Sequence, residues 1–182
     1  MQYRSSLSLA LTVFSLFFIL TSSFTCSGSK EAVIGIKTGN LAPEILCDGM
    51  KGDCASLSSL EGKLVLVEFW TAASNICRQA HFEMGRMYNT FKDQKFENAD
   101  GFTIYSVSLD NSEEQWLQAI KEDKCNWPYQ MCDPRKWNAP SVLTYEVNTL
   151  PKYFLIDGNG EILYRYVEIA DLENLLEDLS EH

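Results

Sequence analysis

The chain has 182 residues, 46% of them apolar and 22% charged, with a formal net charge of −10. That length and apolar content allow one domain with a sizeable core. The acidic balance excludes nucleic acid, or an anionic membrane surface, as a partner recognised by charge.

Residues 1–25 carry a basic start at Arg4 and an apolar run from Leu7 to Leu20. The run is too short for a comfortable membrane span, so the pattern predicts a secretory signal peptide rather than part of the fold. Cys26 follows at the expected cleavage distance, and Ser27 to about Leu41 is small, polar and Gly-containing, as in a linker. The expected organisation is therefore a signal peptide over 1–25, an anchor cysteine and linker over 26–41, and one domain over 42–182. Ser23-Phe24-Thr25-Cys26 resembles a bacterial lipobox, although Ser23 stands where Leu is preferred. The resemblance implies a lipidated Cys26 that tethers the domain to a membrane through acyl chains rather than charge. It also implies an exported, cell-envelope location facing the periplasm or the cell surface; plain signal-peptidase cleavage is the alternative.

From Ala42-Pro43 the domain begins. Glu44–Cys47, the Gly-rich Asp48–Asp53 and Cys54–Leu57 read as a β-hairpin. Cys47 and Cys54 flank its turn; in an exported protein they are candidates for a structural disulfide, with two buried thiols as the alternative. Val65, Leu66, Val67, Phe69 and Trp70 then form a nearly continuous β-prone run, as in a strand covered on both faces. Ser74 is a good helix N-cap, with Cys77 three residues on in the first turn. Ile76, Ala80, Met84, Met87 and Phe91 recur at helical spacing and predict one buried face.

Lys95–Gly101 reads as a loop and Phe102–Leu109 as a second interior strand, ending at Asp110. Asn111-Ser112 caps the next helix, with Glu113 and Glu114 in its first turn and Trp116, Leu117 and Ile120 on its buried side. Cys125–Pro140 is irregular and aromatic. Cys125 and Cys132 are seven apart, like Cys47 and Cys54, and a second local disulfide is expected there. Ser141–Tyr145 suggests a helical turn. Leu150-Pro151 directly precedes a strand ending at Asp157; Asp157–Gly160 is a hairpin turn, Glu161–Val167 the return strand, and Asp171–Leu179 an amphipathic closing helix. Strands alternating with helices predict an α/β domain with a partly parallel sheet.

Two stretches carry a family resemblance. V-E-F-W followed by S-N-I-C-R (Val67–Arg78) resembles the thioredoxin active-site segment, in which an interior strand leads into C-x-x-C-R at a helix start. V-N-T-L-P-K-Y-F-L-I-D (Val147–Asp157) resembles the family's cis-proline loop, and A-P-E-I with L-S-S-L-E-G-K-L-V-L-V (Leu57–Val67) is similar to TlpA/ResA-type domains. The resemblance implies a thioredoxin-like fold, a central mixed sheet flanked by helices, with an N-terminal β-hairpin extension. It implies thiol-disulfide redox handling of a thiol- or disulfide-bearing protein client. The client would lie against Leu150, Pro151 and Trp70, with no cofactor.

The departures bear on the chemistry. Ser74 occupies the position of the family's nucleophilic cysteine, and a hydroxyl neither ionises near neutral pH nor forms a disulfide. Cys77 holds the resolving position, and Glu68 matches the buried acid that takes that cysteine's proton. Three readings follow. Cys77 forms mixed disulfides as a single-cysteine thiol-disulfide protein, with Ser74 and Glu68 assisting. Or the chain is a non-catalytic binding module whose Cys77 is a small buried hydrophobe. Or Ser74-x-x-Cys77 serves a peroxiredoxin-like thiol peroxidase, although Trp70 stands where that motif has Pro and Arg78 and Arg135 are weak counterparts of its activating Arg. His81, four residues past Cys77, is a candidate for lowering its pKa or an ordinary surface residue. No metal set stands out, since only His81 and His182 exist and the other cysteines pair better as disulfides.

Overall fold

The computed structural model describes residues 32–46, 51–52 and 55–181. The signal peptide, the lipidation position Cys26 and the Cys47–Cys54 pairing expected above lie outside these residues. In chain order the elements are β1 (Lys51–Gly52), β2 (Leu64–Trp70), α1 (Asn75–Phe91), β3 (Lys95–Phe96), β4 (Ala99–Asp100) and β5 (Phe102–Ser108). Then come α2 (Glu113–Asp123), β6 (Tyr129–Cys132), α3 (Pro140–Thr144), β7 (Lys152–Ile156), β8 (Ile162–Arg165) and α4 (Ile169–Leu179). Among the described residues, no helix is long and apolar enough to cross a membrane.

Six strands form one mixed sheet in the order β1-β6-β5-β2-β7-β8. β5 pairs parallel with β2 and with β6, whereas β7 pairs antiparallel with β2 and β8. Every residue of β2 and of β5 is buried, which is what an uninterrupted apolar run requires of a strand covered on both faces. The pleat divides β2 between two cores. Val65, Val67 and Phe69 face the layer that holds Val142 and Tyr145 of the α3 region with Ile36, Ile45 and Leu57 from the N-terminal segment. Leu64 and Leu66 face the layer of α1 and α4, with Met84, Met87, Phe91, Leu172 and Leu176. Glu68, two residues beyond Leu66, continues on the α1 side by the same alternation. A third, smaller cluster of Trp70, Cys77, Trp116, Ala119 and Cys132 closes the end of the sheet where β2 runs into α1.

Several expectations require correction. The hairpin over Glu44–Leu57 is not formed among the described residues: Lys51 and Gly52 pair antiparallel with Cys132 and Met131 at the sheet edge instead. Lys95–Gly101 contains the short β3–β4 ribbon. The irregular stretch after Cys125 contains β6, a full partner of β5. On α1, Ile76 is 67% exposed and Cys77 takes the inward position, so the buried face runs Cys77, Ala80, His81, Met84, Met87, Phe91. On α2, Leu117 is half exposed, and Ala119 joins Trp116 inside.

The Cys125–Cys132 disulfide is absent: both are free, buried thiols. Cys132 ends an extended strand and packs with Trp70 and Trp116, whereas Cys125 packs in the α1–α4 layer. β6 carries Cys132 into a different cluster from the one that takes Cys125, so the local spacing does not bring the two sulfurs together.

Candidate functional site

The site grows from the end of β2. After Trp70 the chain turns through Thr71-Ala72-Ala73 before α1 begins, and the buried Asp110 holds that turn. Its carboxylate accepts from the Ala72 amide at 2.9 Å, the Thr71 hydroxyl at 2.7 Å and the Ser108 hydroxyl at 2.6 Å. Asp110 itself follows β5, which lies parallel to β2 in register Trp70↔Ser108, so the sheet delivers it to the turn. Ser74 then caps α1, its Oγ accepting from the Cys77 amide at 3.4 Å. This satisfies one of the free amides that start a helix.

Cys77 is fully buried beneath that first turn. Burial pushes its thiol above the ordinary value. The Ser74 hydroxyl and the Thr71 backbone pull the other way, the Glu68 carboxylate adds to the rise, and His81 opposes it more weakly. His81 therefore does act in the sense considered for it, but burial wins. The sulfur is a protonated thiol near neutral pH.

Leu150 and Pro151 lie beside this end of the sheet. The β2–β7 ladder ends at Phe69↔Lys152, and half-buried Leu150 packs against the Trp70–Cys77 cluster. The Leu150–Pro151 bond is cis, as the resemblance implies. Trp70, the third residue expected at the client surface, is not there: it is wholly buried, its ring edge-on to His81 with the ring centroids 4.4 Å apart. Leu150, Pro151 and Ser74 are half-buried, and Ala73, Asn75, Ile76 and Thr149 are exposed beside them.

Behind Cys77 lies a buried polar network that the sequence alone did not assemble. Glu68 is wholly buried; one carboxylate oxygen accepts from Ser106 Oγ at 2.7 Å, and Ser106 in turn accepts from Trp127 Nε1 at 2.9 Å. The other oxygen, Oε1, stands 3.3 Å from His81 Nε2, close enough for an ion pair but not aligned for a hydrogen bond. His81 Nδ1 meets Asp123 Oδ2 at 2.8 Å. Arg78 is committed to Asp123 and, at 2.9 Å, to Glu122. Burial alone would lower the pKa of His81, but the facing Glu68 carboxylate and the adjacent Cys125 sulfur outweigh it and push it up to about 11. His81 is thus a buried cation bridging two acids, not a surface residue.

Cys125 joins this network because α2 ends in a left-handed residue. Lys124 has φ 57° and ψ 42°, and its amide returns to Ile120 O. That cap reverses the chain, and the next residue drops into the layer between α1 and the sheet. His81, Asp123 and Cys125 each bring a donor atom within 4.8 Å of the others, a grouping that their spacing in the sequence did not show. Neither arginine considered for a peroxidase role faces Cys77 as an unengaged cation: Arg78 pairs with Asp123 and Glu122, and Arg135 pairs with Asp133.

Sequence reasoning singled out Ser74, Cys77, Glu68, Leu150 and Pro151, and the structure brings all five to one end of the sheet. It missed Asp110, Asp123, Ser106 and Trp127, which come from other elements and carry no local motif.

A family model described as Thioredoxin-like matches residues 62–162. Thiol-disulfide oxidoreductase ResA of Oceanobacillus iheyensis is 26% identical over 185 residues, covering 98% of this chain and 88% of ResA. Among solved structures, the thioredoxin domain of a thiol-disulfide oxidoreductase from Bacteroides vulgatus is 34% identical with a TM-score of 0.69, covering 81% of this chain and 100% of that domain. A thiol:disulfide interchange protein from Bacteroides sp. is 36% identical with a TM-score of 0.67, covering 79% of this chain and 90% of its own. The parallel β2–β5–β6 core, the capped helix start and the Leu150–Pro151 loop agree with these matches: the chain belongs to the thioredoxin-like family and is homologous to ResA/TlpA-type thiol-disulfide oxidoreductases.

Proposed function

We propose that this protein is an exported thiol-disulfide protein that engages thiol- or disulfide-bearing protein clients through one cysteine, Cys77. The observation that carries this reading is the placement of Cys77 under the Ser74 cap, beside the Leu150–Pro151 loop and above the Glu68–His81 pair. In the proposed step the Cys77 thiolate attacks a client disulfide. A bond forms between Cys77 Sγ and one client sulfur, and the other client sulfur leaves as a thiolate that takes up a proton. Glu68 and His81 are placed to influence the proton that Cys77 loses. Ser74 cannot resolve the mixed disulfide, so a second thiol on the client or on another protein must. Because Cys77 is buried, the turn held by Asp110 has to open for the client sulfur to reach it.

Residues 1–25 serve as the signal peptide and Cys26 as the lipidated terminus, holding the domain on a membrane in the cell envelope. Radiolabelled fatty acid incorporation that disappears in Cys26→Ser tests the anchor.

The second reading is a binding module that holds clients without thiol exchange, and full burial of Cys77 favours it. Trapping separates the two. The protein is incubated with disulfide-bearing peptides and quenched with acid, and adducts are mapped by mass spectrometry. Adducts on Cys77 that vanish in Cys77→Ala support exchange. A thiol that stays inert until the protein unfolds leaves the binding module. Ser74→Cys, which restores a dithiol, should then gain reductase activity if the client surface is intact.

A further inference from the structure

The polar network behind Cys77 is larger than the redox reading uses. We propose that His81, Asp123 and Cys125 form a buried binding site for a zinc ion, with Glu68 as the outer partner that orients the histidine.

The three donors come from separate places that the fold brings together. His81 lies on the inner face of α1, Asp123 is the last residue of α2, and Cys125 follows the left-handed cap. Their donor atoms lie within 4.8 Å of one another. A tetrahedral zinc site needs donor separations of roughly 3.3–3.6 Å, given metal–ligand bonds of about 2.0–2.3 Å, so small side-chain adjustments suffice. One thiolate, one imidazole and one carboxylate suit a borderline-soft ion such as zinc and not the hard, all-oxygen chemistry of calcium or magnesium. Three protein ligands leave a fourth position for water.

A second observation points to the same ion. Glu68 Oε1 and His81 Nε2 are buried atoms without a hydrogen-bond partner, although they face each other at 3.3 Å. Zinc would displace the proton that the His81 cation carries on Nδ1 toward Asp123, leaving the Nε2–H to donate, and Glu68 Oε1 is the acceptor in place. That is the carboxylate–histidine–metal arrangement in which an outer acid fixes the ring and its tautomer. Glu68 is itself held by Ser106, and the rings of Trp70 and Trp127 stand edge-on to the imidazole at 4.4 and 5.8 Å. Arg78, on Asp123 and Glu122, offsets part of the local negative charge. The Asp123 side chain is 11% exposed and Arg78 25%, which gives the ion an entry path from the α1–α2 side.

The test uses the purified, reduced full chain, stripped with a chelator and titrated with zinc chloride or cobalt chloride alone. The expected result is stoichiometric binding with a thiolate-to-cobalt absorption band. Zinc should also protect Cys125 from alkylation in the native wild-type protein, a readout that needs no variant. Cys125→Ser and His81→Gln should weaken binding by at least about 100-fold, since even outer-partner changes typically cost 10–100-fold. Cys132→Ser, a buried thiol in a different cluster, should bind as the wild type does. No thiolate band, a band that persists in Cys125→Ser, or Cys125 alkylation unaffected by zinc would each overturn the proposal.

Discussion

Asp110 offers the sharpest test of how the site is held. In Asp110→Ala the turn before α1 loses a buried carboxylate that takes three donors: the Ala72 amide, the Thr71 hydroxyl and the Ser108 hydroxyl. The Ser108 hydroxyl can rotate to other acceptors. The Ala72 amide and the Thr71 hydroxyl have no substitute within the turn. Hydrogen bonds to a charged group are each worth about 1.5–3 kcal/mol, so the loss of these two should come to roughly 3–6 kcal/mol. For a domain of this size that corresponds to a fall in Tm of roughly 6–24 °C. Asp110→Asn retains one acceptor oxygen and should lose about half as much. Thermal unfolding followed by circular dichroism measures the global effect, and alkylation of Cys77 under native conditions measures the local one. The two should diverge: Cys77 should become accessible in Asp110→Ala at temperatures where the domain is still folded, because the turn above it is what Asp110 secures. If Asp110→Ala unfolds within a degree or two of the wild type, or Cys77 stays as protected as before, the assignment of Asp110 as the anchor of the site is wrong.

Other outcomes follow from the same geometry. Burial raises the Cys77 pKa above its ordinary 9.0, so the native-state alkylation profile should have its midpoint above pH 9; a midpoint below that contradicts the buried-thiol description. Because the Ser74 hydroxyl lowers that pKa, Ser74→Ala should move the midpoint higher still, and losing the cap should cost about 1 kcal/mol in denaturant unfolding. A Cβ at Gly158 would stand 1.8 Å from the Asn98 carbonyl oxygen, so Gly158→Ala should destabilise by about 1–3 kcal/mol, and an unchanged denaturant midpoint would refute that close approach. Gly85, within α1 with nothing within 4 Å of an added Cβ, should show the opposite sign: Gly85→Ala should stabilise by about 0.5–1 kcal/mol in the same measurement.

Much of the frame was legible in the residues themselves. Burying a strand on both faces demands an apolar run, so β2 and β5 announce themselves as Val65–Trp70 and Phe102–Leu109. Ser74 and Ser112 mark helix starts because a hydroxyl there meets a free amide, and the structure has both bonds. These are local requirements, written within a few residues. Ala80, Met84, Met87 and Phe91 are buried on α1 as their spacing predicts; Ile76 alone is not, because Cys77 is small and only packing under the turn decides which of the two points inward. β6 was missed because a four-residue strand just after Pro128 is too short to show a period, and parallel pairing with β5 defines it.

The site divides along the same line. The sequence by itself determined where a thiol and a cap meet at a helix start, and that a Leu-Pro loop precedes the β7 strand. What only the tertiary structure decided is the company of that thiol. Glu68 and His81 are thirteen residues apart, and Asp123 lies forty-two beyond His81. A histidine whose partners, Glu68 and Asp123, are distant in sequence reads as a surface residue, and two cysteines seven apart read as a bridge. The parallel crossover that lays α1 on the sheet, and the left-handed turn at Lys124, make the one a buried cation and the other its neighbour. Charge pairing acts through space at a few ångströms, and sequence separation carries no record of that distance.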